Sequence, residues 1–96
     1  MKLEKLIEER KGDILHICRV HRARSVRLFG SYSRRTSTAE SDIDVLVELE
    51  PGSSLLDLVA IKQDLEDLLG CKVDVVTESS LSPYIREDVL KEAIVL

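Results

Sequence analysis

Residues 42–49, Asp-Ile-Asp-Val-Leu-Val-Glu-Leu, constrain the fold more than any other stretch of this chain. Successive side chains of a strand point to opposite faces, so Ile43, Val45, Val47 and Leu49 make an apolar face. Asp42 and Asp44 then project together on the other face, about 7 Å apart at a rise of roughly 3.3 Å per residue. Aspartate is depleted in strands, and a carboxylate beside a core is costly unless it is paired or bound to metal. A third acid, Asp74, stands in a similar run, Lys72-Val-Asp-Val-Val76. It joins the pair if its strand lies alongside. A single aspartate in a strand is usually a solvated strand end, but three in two strands of so short a chain ask for another account.

The 96 residues allow one modest core, and we read residues 1–96 as a single domain. Leu3, Leu6, Ile7, Ile14, Ile17 and Cys18 follow helical spacing, which predicts an amphipathic helix over 3–18. A short strand over 25–29 follows, then a helical turn over 32–34, a polar loop over 35–41 and the acid-bearing strand over 42–49. Pro51-Gly52 ends that strand. Ser54 with Asp57 forms a capping-box start for a helix that Gly70 stops, and the third strand spans 72–76. Ser82-Pro83 opens a last helix extending to Ile94. Its tail, Leu90 to Leu96, has more apolar residues than a terminal helix needs, which is compatible with a docking surface. The expected fold is α/β (α+β), a small mixed sheet with helices packed on one face.

Composition excludes several classes. No stretch approaches the roughly 18 apolar residues of a membrane span, and the opening Met1 to Arg10 alternates charges where an export signal needs an apolar run. A cytoplasmic protein is expected. Cys18 and Cys71 are too far apart for a metal knuckle or a redox pair, and they read as small core residues. His16 and His21 read as surface or structural residues, and Tyr32 and Tyr84 as half-buried aromatics. A net charge of −4 argues against a protein that coats nucleic acid. The charge is uneven, however: Arg19, Arg22, Arg24, Arg27, Arg34 and Arg35 stand together with one histidine and no acid. That segment is either a solvated face or a means of steering a polyphosphate.

The chemistry suggested by the residues is nucleotide chemistry. Two carboxylates on one strand face, with a third on a neighbouring strand, offer oxygen-only ligation, which favours magnesium or manganese over zinc. Phe29-Gly30-Ser31 is a strand end running into a glycine turn, where backbone N–H groups can hold phosphate. Nucleotidyl transfer needs in-line attack on an α-phosphate, metal ions to stabilise charge, and little else from the protein beyond carboxylates and positioning.

The spacing of Gly30-Ser31, Arg34 and Ser41-Asp42-Ile43-Asp44 resembles the signature of the polymerase β-like nucleotidyltransferase superfamily. Within it the chain resembles most the minimal nucleotidyltransferases, antitoxins usually encoded beside a HEPN-domain protein. The resemblance implies that Asp42 and Asp44 hold magnesium on the ATP triphosphate and that Gly30 and Ser31 cradle the phosphates. It implies that Asp74 is the third acid, a metal ligand that helps deprotonate the acceptor hydroxyl, and that Arg34 fills a basic position before the aspartates. Arg35 departs from the glycine many relatives have there. Larger members add a helical domain, so a partner or a second copy is expected to complete the site. The implied partner is a HEPN toxin, and the implied reaction is transfer of AMP from ATP to one of its tyrosine hydroxyls. An alternative is a binding module that neutralises its partner by occlusion. A weaker third reading is a stand-alone transferase for a small hydroxylated molecule. Acceptor identity, the number of nucleotides transferred, base preference and oligomeric state stay open at this level.

Overall fold

A computed structural model of the chain describes residues 3–30 and 43–96. The elements run α1 (Leu3–Val20), β1 (Ala23–Phe29), β2 (Ile43–Leu49), α2 (Leu55–Leu69), β3 (Val73–Thr77), a 3-10 turn (Glu78–Ser80), α3 (Pro83–Glu92) and β4 (Ile94–Val95). The expected helical turn over 32–34, the loop over 35–41 and the first residue of the expected strand, Asp42, lie outside the described residues.

Local chemistry sets the element ends. Ser54 caps α2: its Oγ accepts from Leu56 N–H at 3.2 Å, while Asp57 Oδ2 accepts from Ser54 N–H at 3.0 Å. At the other end Gly70 adopts φ 70°, and its N–H donates to Glu66 O. Ser82 caps α3 through Tyr84 N–H, with Pro83 as the first helical residue.

The sheet order is β3-β2-β1-β4. β1 pairs antiparallel with both β2 and β4, whereas β2 and β3 are parallel and joined through α2. Parallel neighbours need such a crossover, and α2 supplies it. One face of the sheet carries Val26 and Leu28 of β1, Ile43, Val45 and Val47 of β2, and Val73 of β3. Against it pack Ile7, Ile14 and Cys18 of α1 and Ile61, Leu65 and Leu69 of α2. The helical spacing of these six residues explains why two amphipathic helices settle on this one face.

The mixed α/β sheet is as expected, with one addition. The last helix does not reach Ile94: it stops at Glu92, Ala93 turns extended, and Ile94 and Val95 form β4 opposite Leu28 and Arg27. The physical reason is the open edge of β1, whose backbone groups offer ladder hydrogen bonds to a β-branched pair. Leu96 continues the pairing, its N–H donating to Val26 O at 3.0 Å, and its side chain packs against the core. Part of the tail's apolar surface is therefore used inside the fold, although Val95 remains 71% exposed.

β3 is the edge strand beside β2, and α2 protects its start. Val73 N–H donates to Glu66 Oε2 at 3.0 Å, and Lys62 Nζ donates to Val73 O at 2.7 Å and to Glu66 Oε2 at 3.2 Å. The Val73 amide, followed by the Lys62 ammonium, holds the Glu66 carboxyl below its ordinary value of 4.5. A carboxyl whose folded pKa is depressed contributes stability above its unfolded value and loses it as pH falls through the folded one. Glu66→Gln is therefore expected to lower Tm near neutral pH, with the difference from wild type shrinking as pH falls and closing once the Glu66 carboxyl is protonated in the folded as well as the unfolded protein. Thermal melts across pH test this, and a Tm difference that does not change with pH would contradict it.

Candidate active site

The site begins at the parallel pairing of β2 and β3, whose register sets Asp44 opposite Asp74. Both residues lie on the face opposite the helical core, on strands about 4.8 Å apart. They are half-buried. β1 contributes the third side, since Phe29 pairs with Asp44 and the chain then turns at Gly30. Gly30 has φ 70°, and a Cβ placed there would run into Asp44 Oδ2 and sit 3.3 Å from its Cγ. The Asp44 carboxylate thus lies against the glycine turn, in space that only a residue without a side chain leaves open.

Three of the six residues singled out in the sequence are therefore neighbours: Gly30, Asp44 and Asp74. Ser31, Arg34 and Asp42 lie outside the described residues. Among the described residues no three acid, histidine or cysteine side chains gather as a metal set. The two carboxylates offer oxygen donors only, a donor type suited to magnesium or manganese, and the sequence adds Asp42 two residues before Asp44. The remaining candidates for chemistry fall away. His21 Nε2 meets Asp64 Oδ2 at 2.7 Å, tying the end of α1 to α2. Cys18 is fully buried, and burial pushes its thiol up to about 11, so it stays protonated. Tyr84, expected to be half-buried, is 94% exposed because it stands on the first turn of α3, no residue of which is buried.

The basic segment divides in two. Arg24 forks onto Glu48 Oε1 at 3.0 and 2.6 Å, and Arg22 reaches Gly52 O. Arg27 instead sits on the same face as the acids, opposite Leu46, with no hydrogen-bond or ion-pair partner among the described residues. Together with Ser25, Leu46, Glu48, Thr77 and Arg86 it lines a groove of about 540 Å³ next to the acid pair. Sequence reasoning missed this groove. Arg86 carries no signal in the sequence, because only the path of the chain after β3 brings α3 near β1.

With acids, glycine turn and adjoining groove in place, the class of protein follows. Residues 3–96 match the nucleotidyltransferase domain family, to which the chain belongs. It is thus an enzyme of nucleotidyl transfer. A solved structure described as a candidate minimal nucleotidyltransferase is 47% identical, covers 100% of this chain and 97% of its own, and superposes with a TM-score of 0.85. The protein adenylyltransferase MntA of Thermococcus cleftensis is 42% identical over 71 residues, which are 74% of this chain and 72% of that protein. A toxin–antitoxin complex crystallised with AMP-PNP contains a chain 26% identical, with a TM-score of 0.75, covering 88% of this chain and 70% of its own. Among the described residues, no helix is long and apolar enough to cross a membrane.

Gly30→Ala tests the close approach at the turn. A non-glycine residue at positive φ costs about 1–2 kcal/mol, and the added methyl also displaces the Asp44 carboxylate. The expected outcome is a folded protein destabilised by about that amount, with metal-dependent nucleotide affinity lowered by more than the stability loss explains. Calorimetric titration of ATP with magnesium, beside denaturant melts, checks it. Unchanged affinity would show that the glycine serves the turn alone.

Proposed function

We propose that this chain is a magnesium-dependent protein adenylyltransferase that transfers AMP from ATP to a tyrosine hydroxyl of a HEPN-type toxin partner and so acts as its antitoxin. One observation carries the reading: Asp44 and Asp74 stand side by side in register on the solvent face, with Asp44 against the Gly30 turn. Two adjacent carboxylates on neighbouring strands offer paired oxygen donors to one cation, an arrangement that a binding module does not need. The naming of a 42% identical relative as a protein adenylyltransferase supports the reaction class, and the toxin–antitoxin complex with AMP-PNP supports the nucleotide and the partner type.

In this reading Asp42, Asp44 and Asp74 hold the metal, and Gly30, Ser31 and Arg34 hold the triphosphate. The bound metal supplies Lewis-acid stabilisation of charge on the attacking and leaving oxygens. The acceptor oxygen forms a bond to the α-phosphorus, the bond from that phosphorus to the bridging oxygen breaks, and pyrophosphate leaves. Asp74 takes the hydroxyl proton as the new bond forms. The strands supply rigid positioning, since carboxylates on paired strands are held more tightly than any on a loop.

Asp74→Asn separates transfer from occlusion. The variant is expected to keep its fold and its partner, and to lose modification. Intact mass of the partner after incubation with ATP and magnesium should show adenylyl-sized increments with wild type and none with the variant. Full neutralisation of the toxin by Asp74→Asn, with no mass change from either protein, would leave occlusion as the mechanism.

A further inference from the structure

The groove beside the acid pair has a composition at odds with the rest of the molecule. The chain carries a net charge of −4, yet the groove presents two guanidinium groups whose donors are not used up. Arg27 has no hydrogen-bond or ion-pair partner among the described residues. Arg86 Nε–H is buried with no partner there, and its Nη2 makes only a long contact of 3.5 Å to Leu81 O. A buried donor left without an acceptor costs on the order of 1–3 kcal/mol, and beside it the half-buried Arg27 offers its guanidinium donors to an acceptor group in the groove. Glu48 does not supply it, being engaged by Arg24 and, at 3.5 Å, by Ser25 Oγ. The remaining acid in the lining is the exposed Glu78, on the turn after β3. Ser25, Thr77 and Ser79 add hydroxyls, and Leu46, only 4% exposed although it faces away from the helical core, gives an apolar floor.

Position decides what the groove receives. Along β1 and β2 the order on this face is Gly30 and Phe29 level with Asp44, then Arg27 level with Leu46, then Ser25 level with Glu48. The groove therefore begins one same-face step, about 6.6 Å, beyond the acids on the side away from the Gly30 turn. In-line displacement places the entering oxygen opposite the leaving group. With pyrophosphate leaving toward Gly30, the entering hydroxyl comes from the groove side. We propose that this groove binds the acceptor: an acidic peptide segment whose carboxylate pairs with Arg27 and Arg86 while its tyrosine hydroxyl reaches Asp44 and Asp74. The inference rests on the transferase reading above and adds the charge of the segment and the two residues that recognise it. Guanidinium groups suit the task, since they bind carboxylate through paired, charge-assisted hydrogen bonds. A volume of about 540 Å³ is within the range of ligand sites.

The test uses two short fluorescein-labelled peptides, each with one central tyrosine, flanked by glutamates in one and by lysines in the other. Anisotropy measures their binding to the full chain with magnesium and AMP-PNP, and intact mass measures AMP transfer with ATP. Net charge alone favours the lysine peptide, so a preference for the glutamate peptide by about tenfold or more reports a local site. Arg27→Ala and Arg86→Ala should each remove most of the preference, while Arg27→Lys and Arg86→Lys, which keep the charge, should retain part of it. Arg22→Ala, outside the groove, should leave it intact. Equal binding of the two peptides, or a preference that survives both alanine variants, overturns the proposal. So does a loss of AMP-PNP affinity larger than the loss of peptide affinity, which would assign the groove to the nucleotide. Selective binding without any AMP transfer would reject the transferase reading and keep the groove, and transfer without selectivity would do the reverse.

Discussion

The parallel pairing of β2 with β3 is the constraint on which the rest of this molecule depends. A shift of one residue in that register would send Asp74 to the core face and Val73 or Val75 to solvent, exchanging a carboxylate for an apolar contact beneath α2. The core thus fixes the site. Ile43, Val45 and Val73, all fully or nearly fully buried, lock the register from below, and the acids emerge together above as its consequence. Hydrophobic burial of these side chains, worth roughly 1.5–3 kcal/mol each, holds the register.

Supporting contacts act on the same pairing. Lys62 and Glu66, one turn apart on α2, bind both backbone groups of Val73, the residue just before Asp74. This holds the start of an edge strand that would otherwise expose unpaired donors and acceptors. Gly30 acts from the other side, where the absence of a side chain leaves room for the Asp44 carboxylate. Helix, turn and strand together leave Asp44 little freedom except toward the face it shares with Asp74. A site of this kind is preorganised by its scaffold, which suits a reaction in which positioning does most of the work.

How much of this was legible in the sequence follows from the range of the interactions involved. Period-2 alternation in β2, the Ser54–Asp57 cap, the Gly70 stop and the Ser82-Pro83 start are local signals, and the structure has all of them. The adjacency of Asp44 and Asp74 was readable as a condition, because a strand-helix-strand order favours parallel neighbours. The end of α3 was not readable: Ala93 and Ile94 fit a helical pattern, and only the open edge of β1 draws Ile94 and Val95 into a strand. The groove was illegible for the same reason, since Arg27 and Arg86 are 59 positions apart in the sequence and line one groove only through the path the chain takes after β3. Ser31, Arg34 and Asp42 lie outside the described residues, and their roles rest on the family resemblance alone.

The proposed transferase requires the acids brought together by β2 and β3 to receive a divalent cation with the nucleotide. Anomalous scattering from crystals grown with manganese and AMP-PNP measures this directly, because manganese replaces magnesium on oxygen ligands and can be located by its own signal. A peak is expected within coordination distance, about 2–2.3 Å, of carboxylate oxygens from both Asp44 and Asp74, with the triphosphate reaching toward Gly30. Nucleotide bound with manganese away from these two carboxylates would contradict it.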